Sequence, residues 1–290
     1  MSMRSILVPW WPGSTSISQL DAALAIARHV EAHLGVMFSL PTPDGLATTL
    51  QGAVSPPATL PSHMESVIHE AEREACASFE AWRERNGIPG HIVNEQIQVP
   101  YAEWSERTGL PEELILRKGR IVDMTVLRFP TASDALDRPH DAAIFESGHP
   151  VLLVADKVGP APLSHVVVAW NGSLHSTRAV FGAMALLRAA DRVTVLTTTD
   201  LGTRPGEQGV AGDTDLVDAL SWHGVEARHC QIDPGPSSLG PALLQEADDL
   251  EATLLVMGAA TSSRASIACP GGVTEHVFRN PPAIPVLMAH

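Results

Sequence analysis

The chain has 290 residues, with 19 Lys plus Arg against 33 Asp plus Glu, a formal net charge of -14, and only two lysines, Lys118 and Lys157. Nucleic-acid backbones need clustered cations, so unspecific nucleic-acid binding is excluded; neither lysine follows a glycine, so there is no Gly-Lys-Ser/Thr phosphate loop. At roughly 100 to 200 residues per domain the length predicts two domains, each able to bury its own core. The start has too short an apolar run for a signal peptide and no segment approaches the roughly 18 apolar residues of a membrane span, so a cytoplasmic chain with no membrane partner is expected.

In chain order, β and α patterns alternate. Ile6-Leu7-Val8-Pro9 marks a strand over 4–9, followed by Gly13-Ser14 and an Ala-rich helical run over 21–30. Further strands are predicted at 33–38, 91–98, 122–128 and 151–155. A long helix is predicted at 64–86, with Val67, Ala71, Ala75, Phe79 and Trp82 on one buried face and Gly87 as its stop. Residues 155–164 hold two prolines and a glycine and read as a linker. Beyond it, strands fall at 165–170, 192–198, 225–231, 253–257 and 285–289, with helices at 176–190, 213–223, 238–249 and 272–280 between them. The glycine-rich stretch 200–212 reads as a surface loop.

The two halves answer one another. Val166-Val167-Val168-Ala169-Trp170-Asn171-Gly172-Ser173 repeats the opening pattern, Thr253 to Gly258 repeats Asp123 to Arg128, and Pro285-Val286-Leu287-Met288 repeats Val151-Leu152-Leu153-Val154. Two copies of one α/β domain, 1–158 and 163–290, each a doubly wound five-stranded parallel sheet flanked by helices, is the economical reading. In such sheets ligands sit beyond the C-terminal strand ends where the strand order reverses. Asn171 and Gly258 both lie at such ends, so these distant segments are expected to converge.

Leu254-Leu255-Val256-Met257-Gly258 runs into a Gly/Ser-rich loop that closes on Gly271-Gly272-Val273-Thr274. A strand that breaks at glycine and enters a helix at a second glycine pair builds a concavity of backbone N–H groups suited to phosphate. Here the chain resembles the universal stress proteins. Their nucleotide-binding members carry Gly, two residues, Gly, nine residues, then Gly-Ser/Thr, and Gly258, Thr261 and Gly271 fall on that spacing, with Thr274 retained. The resemblance covers nearly the whole chain. It implies an adenine nucleotide, ATP or AMP, held in the second half by Ala169, Asn171, Met257, Gly258, Thr261, Ser262, Gly271, Gly272, Val273 and Thr274. It also implies that the two last strands meet within one chain as a pseudo-dimer, and homodimers of the whole chain.

Two positions depart from that pattern: Thr261 stands where the second glycine is expected, and Gly272 where a hydroxyl is. Asn171 replaces an Asp, keeping a carboxamide oxygen able to accept a ribose hydroxyl. In the first half Arg128-Phe129-Pro130 replaces the whole glycine register and Trp10-Trp11-Pro12 occupies the ligand turn, so that half reads as a scaffold with an indole pair at the mouth of a dead site.

Cys76, Cys230 and Cys269 show no CxxC spacing. The first two read as small buried side chains and Cys269 as a loop thiol. His29 and His33 lie four apart, but His33 falls in the following strand and no third ligand joins them, so no metal is expected. No Gly-x-Ser-x-Gly elbow or other catalytic centre is legible, and the chain reads as a non-enzyme, slow ATP hydrolysis aside. Two function classes remain: a stress-response sensor of an adenine nucleotide, and a nucleotide-free interaction protein that docks an unknown protein partner.

Overall fold

The computed structural model describes residues 2–14, 16–40, 60–90, 100–130, 138–155, 162–198, 214–234, 238–259 and 272–290. The strands are β1 (Ser5–Trp10), β2 (His33–Leu40), β3 (Ala102–Thr108), β4 (Met124–Arg128), β5 (Val151–Val154), β6 (Val166–Ala169), β7 (Val193–Thr198), β8 (Ala227–Ile232), β9 (Leu254–Gly258) and β10 (Val286–Ala289). The helices are α1 (Ile17–Val30), α2 (Leu60–Arg85), α3 (Pro111–Gly119), α4 (Arg138–Asp141, continued by a π-turn over Ala142–Glu146), α5 (Leu174–Gly182), α6 (Met184–Ala189), α7 (Asp215–Trp222), α8 (Leu239–Asp249) and α9 (Val273–Arg279).

The strands form one ten-stranded sheet in the order β3-β2-β1-β4-β5-β10-β9-β6-β7-β8. Read from its own edge, the second half runs β8-β7-β6-β9-β10, the same order as the first. Each half is parallel throughout, and the halves join where β5 and β10 pair antiparallel, Leu152 opposite Leu287. The two five-stranded sheets expected from the repeat are therefore joined edge to edge into one continuous sheet. Pairing satisfies the backbone of two apolar strands whose residues are all buried, which would otherwise be exposed edges.

Strands buried on both faces need apolar side chains at successive positions, which is why Val166-Val167-Val168 and Leu254-Leu255-Val256 read as unbroken runs. Alternate residues feed two cores. On one face Ile6, Val8, Trp10, Val166 and Val168 meet α1, α2, α5, α6 and α7; on the other Leu7, Val167, Leu255 and Met257 meet α3, the π-turn, α8 and α9. α1 of the first half packs against α6 of the second, so the first core runs across the join.

Four sequence readings need correction. The third strand was expected at 91–98; residues 91–99 lie outside the described residues, and β3 stands at Ala102–Thr108. Its Glu103, Glu106 and Arg107 are exposed because β3 is an edge strand, where charge is tolerated and protective. The buried stripe of α2 passes through Ile68, Ala75, Phe79 and Trp82, leaving Val67 55% exposed. The helix expected over 176–190 starts at Leu174 and breaks after Gly182, which packs so closely on Pro150 that a Cβ would lie 3.1 Å from its Cγ. Trp10 is fully buried and edge-on to Trp104 at 6.0 Å, a core residue and not a cover for a site mouth.

The strand bases of the two halves carry comparable contacts. The Asp123 carboxylate accepts the Arg4 N–H and Ser5 N–H at 2.9 Å each and the Ser5 hydroxyl at 2.8 Å. At the matching point of the second half the Thr253 hydroxyl oxygen accepts the His165 N–H at 3.0 Å. Burial works against the Asp123 charge, but these three donors outweigh it and hold the carboxyl below its ordinary 3.8. Its stabilisation is thus present above 3.8 and lost as pH falls through the folded-state value. Asp123→Asn is expected to cost about 1–2 kcal/mol at pH 7, with the deficit shrinking below pH 3.8; urea midpoints at neutral and acid pH measure it.

Candidate functional site

β6 leads to β7 and β8 on one side, and the chain then returns to β9 and β10 on the other, so strand order reverses between β6 and β9. A cavity of about 240 Å³ opens there, beyond the C-terminal ends of β6, β7 and β9. Ala169, Asn171, Met257, Gly258, Gly272, Val273 and Thr274 all line it, so seven of the ten residues singled out from the sequence are brought together. The other three, Thr261, Ser262 and Gly271, lie outside the described residues, as does Cys269.

Each wall has a local cause. After β6, Asn171 Oδ1 accepts the Ser173 N–H at 3.2 Å and closes a turn over Gly172, whose φ of +69 suits glycine. Ser173 then caps α5, its Oγ accepting the Ser176 N–H at 3.2 Å. The Asn171 carboxamide oxygen thus holds the turn with one of its two lone pairs, and the other remains able to accept a hydroxyl.

Gly258 has a packing reason beside the ligand contact first read. A Cβ there would stand 2.6 Å from Ser176 N and 2.7 Å from the His175 carbonyl carbon, so its bareness lets the first turn of α5 lie on the end of β9. Gly240 plays the same part across the cavity, where α8 meets His276 of α9 at a would-be 2.6 Å. At Gly272, the residue before α9, an added Cβ would meet no described residue within 4 Å, and φ is an ordinary -78.

Residues that sequence reasoning missed add to the lining: Leu196, Ile232, Leu239 and Leu243 join the expected Met257 in an apolar wall, and Ser173, Thr197 and Thr198 add polar groups. The signal for Thr197 and Thr198 was their place at the end of the strand beside the reversal. Among the described residues no charged side chain lines the cavity, although the chain carries a net charge of -14. Among the described residues no cluster of three His, Cys, Asp or Glu could hold a metal ion, and no helix is long and apolar enough to cross a membrane.

Behind the rim, His290 stacks on His175 at 4.3 Å, meets Phe145 edge-on and approaches the Ala259 carbonyl at 2.8 Å through Nδ1. At the strand bases His165 is a satisfied core histidine. Nδ1 bonds the Leu250 carbonyl at 2.7 Å and Nε2 the Thr194 hydroxyl at 2.8 Å, while burial pushes its pKa down. Burial and neighbouring carboxylates, Glu80 for Cys76 and Glu246 for Cys230, push both thiols up, the reverse of what a reactive thiolate needs. His29 lies on α1 with Nδ1 against its own Ala25 carbonyl, whereas His33 begins β2 and stacks on Tyr101.

The corresponding strand ends of the first half are filled. Phe129 is buried, Trp11 packs against the same core and edge-on to His140, and His140 Nε2 lies 2.8 Å from the Arg128 carbonyl oxygen.

No protein-family model matches the chain, and no curated protein does. Among solved structures it is similar to a functionally unknown protein, PA1789, from Pseudomonas aeruginosa PAO1, with a TM-score of 0.53 and 14% identity over 98% of this chain and 92% of that one. It is also similar to a universal stress protein in complex with cAMP, with a TM-score of 0.33 and 20% identity over 42% of this chain and 95% of that one. A third likeness is to the universal stress protein UspA from Lactobacillus plantarum, with a TM-score of 0.34 and 17% identity over 53% of this chain and 98% of that one. The first of these shows a shared fold along almost the whole chain, and fold alone leaves the function to be argued from the site.

Proposed function

We propose that the chain is a sensor of the universal stress protein type that binds an adenine nucleotide, ATP or AMP, in the cavity of its second half and performs no dedicated chemistry. The observation that carries the reading is the convergence of Asn171, Gly258, Gly272 and Thr274 on one cavity at the strand-order reversal, where doubly wound sheets bind ligands. An apolar wall with hydroxyl and amide groups at its edge suits a heteroaromatic ring carrying polar substituents. The first half, its strand ends filled by Phe129, Trp11 and His140, serves as scaffold. Isothermal titration with ATP and AMP, together with mass spectrometry of the supernatant from denatured protein, tests the reading. Micromolar binding at one site per chain is expected; an empty supernatant and flat titrations with both nucleotides would refute it.

A second reading, a nucleotide-free docking protein, draws on a different surface. Trp222 is 83% exposed at the end of α7, and Phe181, 45% exposed on α5, meets His223 edge-on at 5.8 Å. Exposed aromatic surface of this kind is a feature of interaction sites. Flat titrations would turn attention to it.

A further inference from the structure

The two ends of the Asn171 side chain have different fates. Oδ1 faces the Ser173 N–H at 3.2 Å. A backbone N–H can only donate, so the atom facing it is the carbonyl oxygen, and the orientation of the amide is thereby assigned. The other end, the Nδ2 donor, is left for other partners: Asn171 is exposed, it lines the cavity, and no group among the described residues accepts from Nδ2. Its neighbour offers little competition, because Ser173 Oγ accepts from Ser176 N–H and lies 3.3 Å from Ser176 Oγ, both within the first turn of α5. Among the described residues no carboxylate lines the cavity to demand a donor or a cation from the ligand.

We propose that Asn171 is a hydrogen-bond donor to the ligand, and that the site selects a ligand presenting an acceptor to it, a phosphate oxygen above all. The inference rests on the nucleotide reading of the cavity and adds to it a polarity: a phosphorylated nucleoside is preferred over the free nucleoside, with Asn171 as the specificity residue. A donor facing an anionic oxygen forms the stronger, charge-assisted class of hydrogen bond, whereas a carboxylate at the same position would repel it.

Asn171→Asp separates the two polarities without disturbing the turn, since a carboxylate oxygen accepts the Ser173 N–H equally well. AMP and adenosine are titrated in metal-free buffer into wild type and variant, with melting curves as a check on folding. The wild type is expected to bind AMP more tightly than adenosine. The variant is expected to lose about tenfold or more in AMP affinity while adenosine changes far less. If the variant melts early, Asn171→Ser takes its place, keeping an acceptor for the turn and removing Nδ2; AMP affinity then falls several-fold and adenosine affinity holds. AMP binding that is unchanged or tighter in either folded variant overturns the proposal, as does an equal loss for both ligands. Wild type that binds neither ligand overturns the nucleotide reading as well, which tells that failure apart from the failure of the polarity alone.

Discussion

Gly258→Ala is expected to destabilise the protein by about 2–3 kcal/mol, more than a glycine-to-alanine change in an open strand end would. The new methyl would stand 2.6 Å from Ser176 N and 2.7 Å from the His175 carbonyl carbon, and both are backbone atoms that cannot rotate away. α5 must shift bodily, and the Asn171–Ser173 turn that caps it shifts too, so ligand affinity should fall together with the denaturation midpoint. Gly272→Ser is the control: a Cβ there would meet no described residue within 4 Å, its φ of -78 is open to any residue, and serine is a good residue before a helix. Urea unfolding of both variants decides between packing and ligand contact as the reason for glycine at 258. If Gly258→Ala keeps wild-type stability and loses only affinity, the phosphate-approach reading is restored and the packing account fails.

Leu287→Ala should cost about 3 kcal/mol, and the loss should be felt in both halves. Leu287 is fully buried in β10, opposite Leu152 of β5, in the core shared by α1 and α6. A sheet continuous through this pair, with one core across the join, is expected to unfold as a unit. Hydrogen exchange followed by mass spectrometry reads this out: peptides from β1 and β4 should lose protection along with those from β6 and β9. Faster exchange confined to the second half would show that the halves are energetically separate despite the shared sheet.

Much of the architecture was legible in the chain itself. Runs such as Val166-Val167-Val168, buried on both faces, announce central parallel strands with little ambiguity, and nine of the ten strands lie within a few residues of where the pattern put them. The exception, β3, is an edge strand with charges facing water, so it lacks the only signal that periodicity offers. On α2, Ala75, Phe79 and Trp82 face in as expected, and the stripe was misread only at Val67, because Val67 and Ile68 are both apolar and only packing tells which of them faces in.

At the candidate site, spacing and the alternation of strand and helix were enough to place Asn171 and Gly258 at neighbouring strand ends, because chain order determines which loops emerge where a doubly wound sheet reverses. What each residue does there was decided only in three dimensions. Sequence can mark a glycine but not its neighbours, and the closeness of α5 gives Gly258 its reason. Sequence can mark an amide but not which end is taken, and the Ser173 N–H settles that for Asn171. The joining of β5 to β10, the depth of Trp10 and the filled strand ends around Phe129 have the same origin: they depend on side chains more than a hundred residues apart, or on opposite elements, competing for the same space. Local pattern determined the kind of element and its order; close packing between distant segments determined the role of each residue.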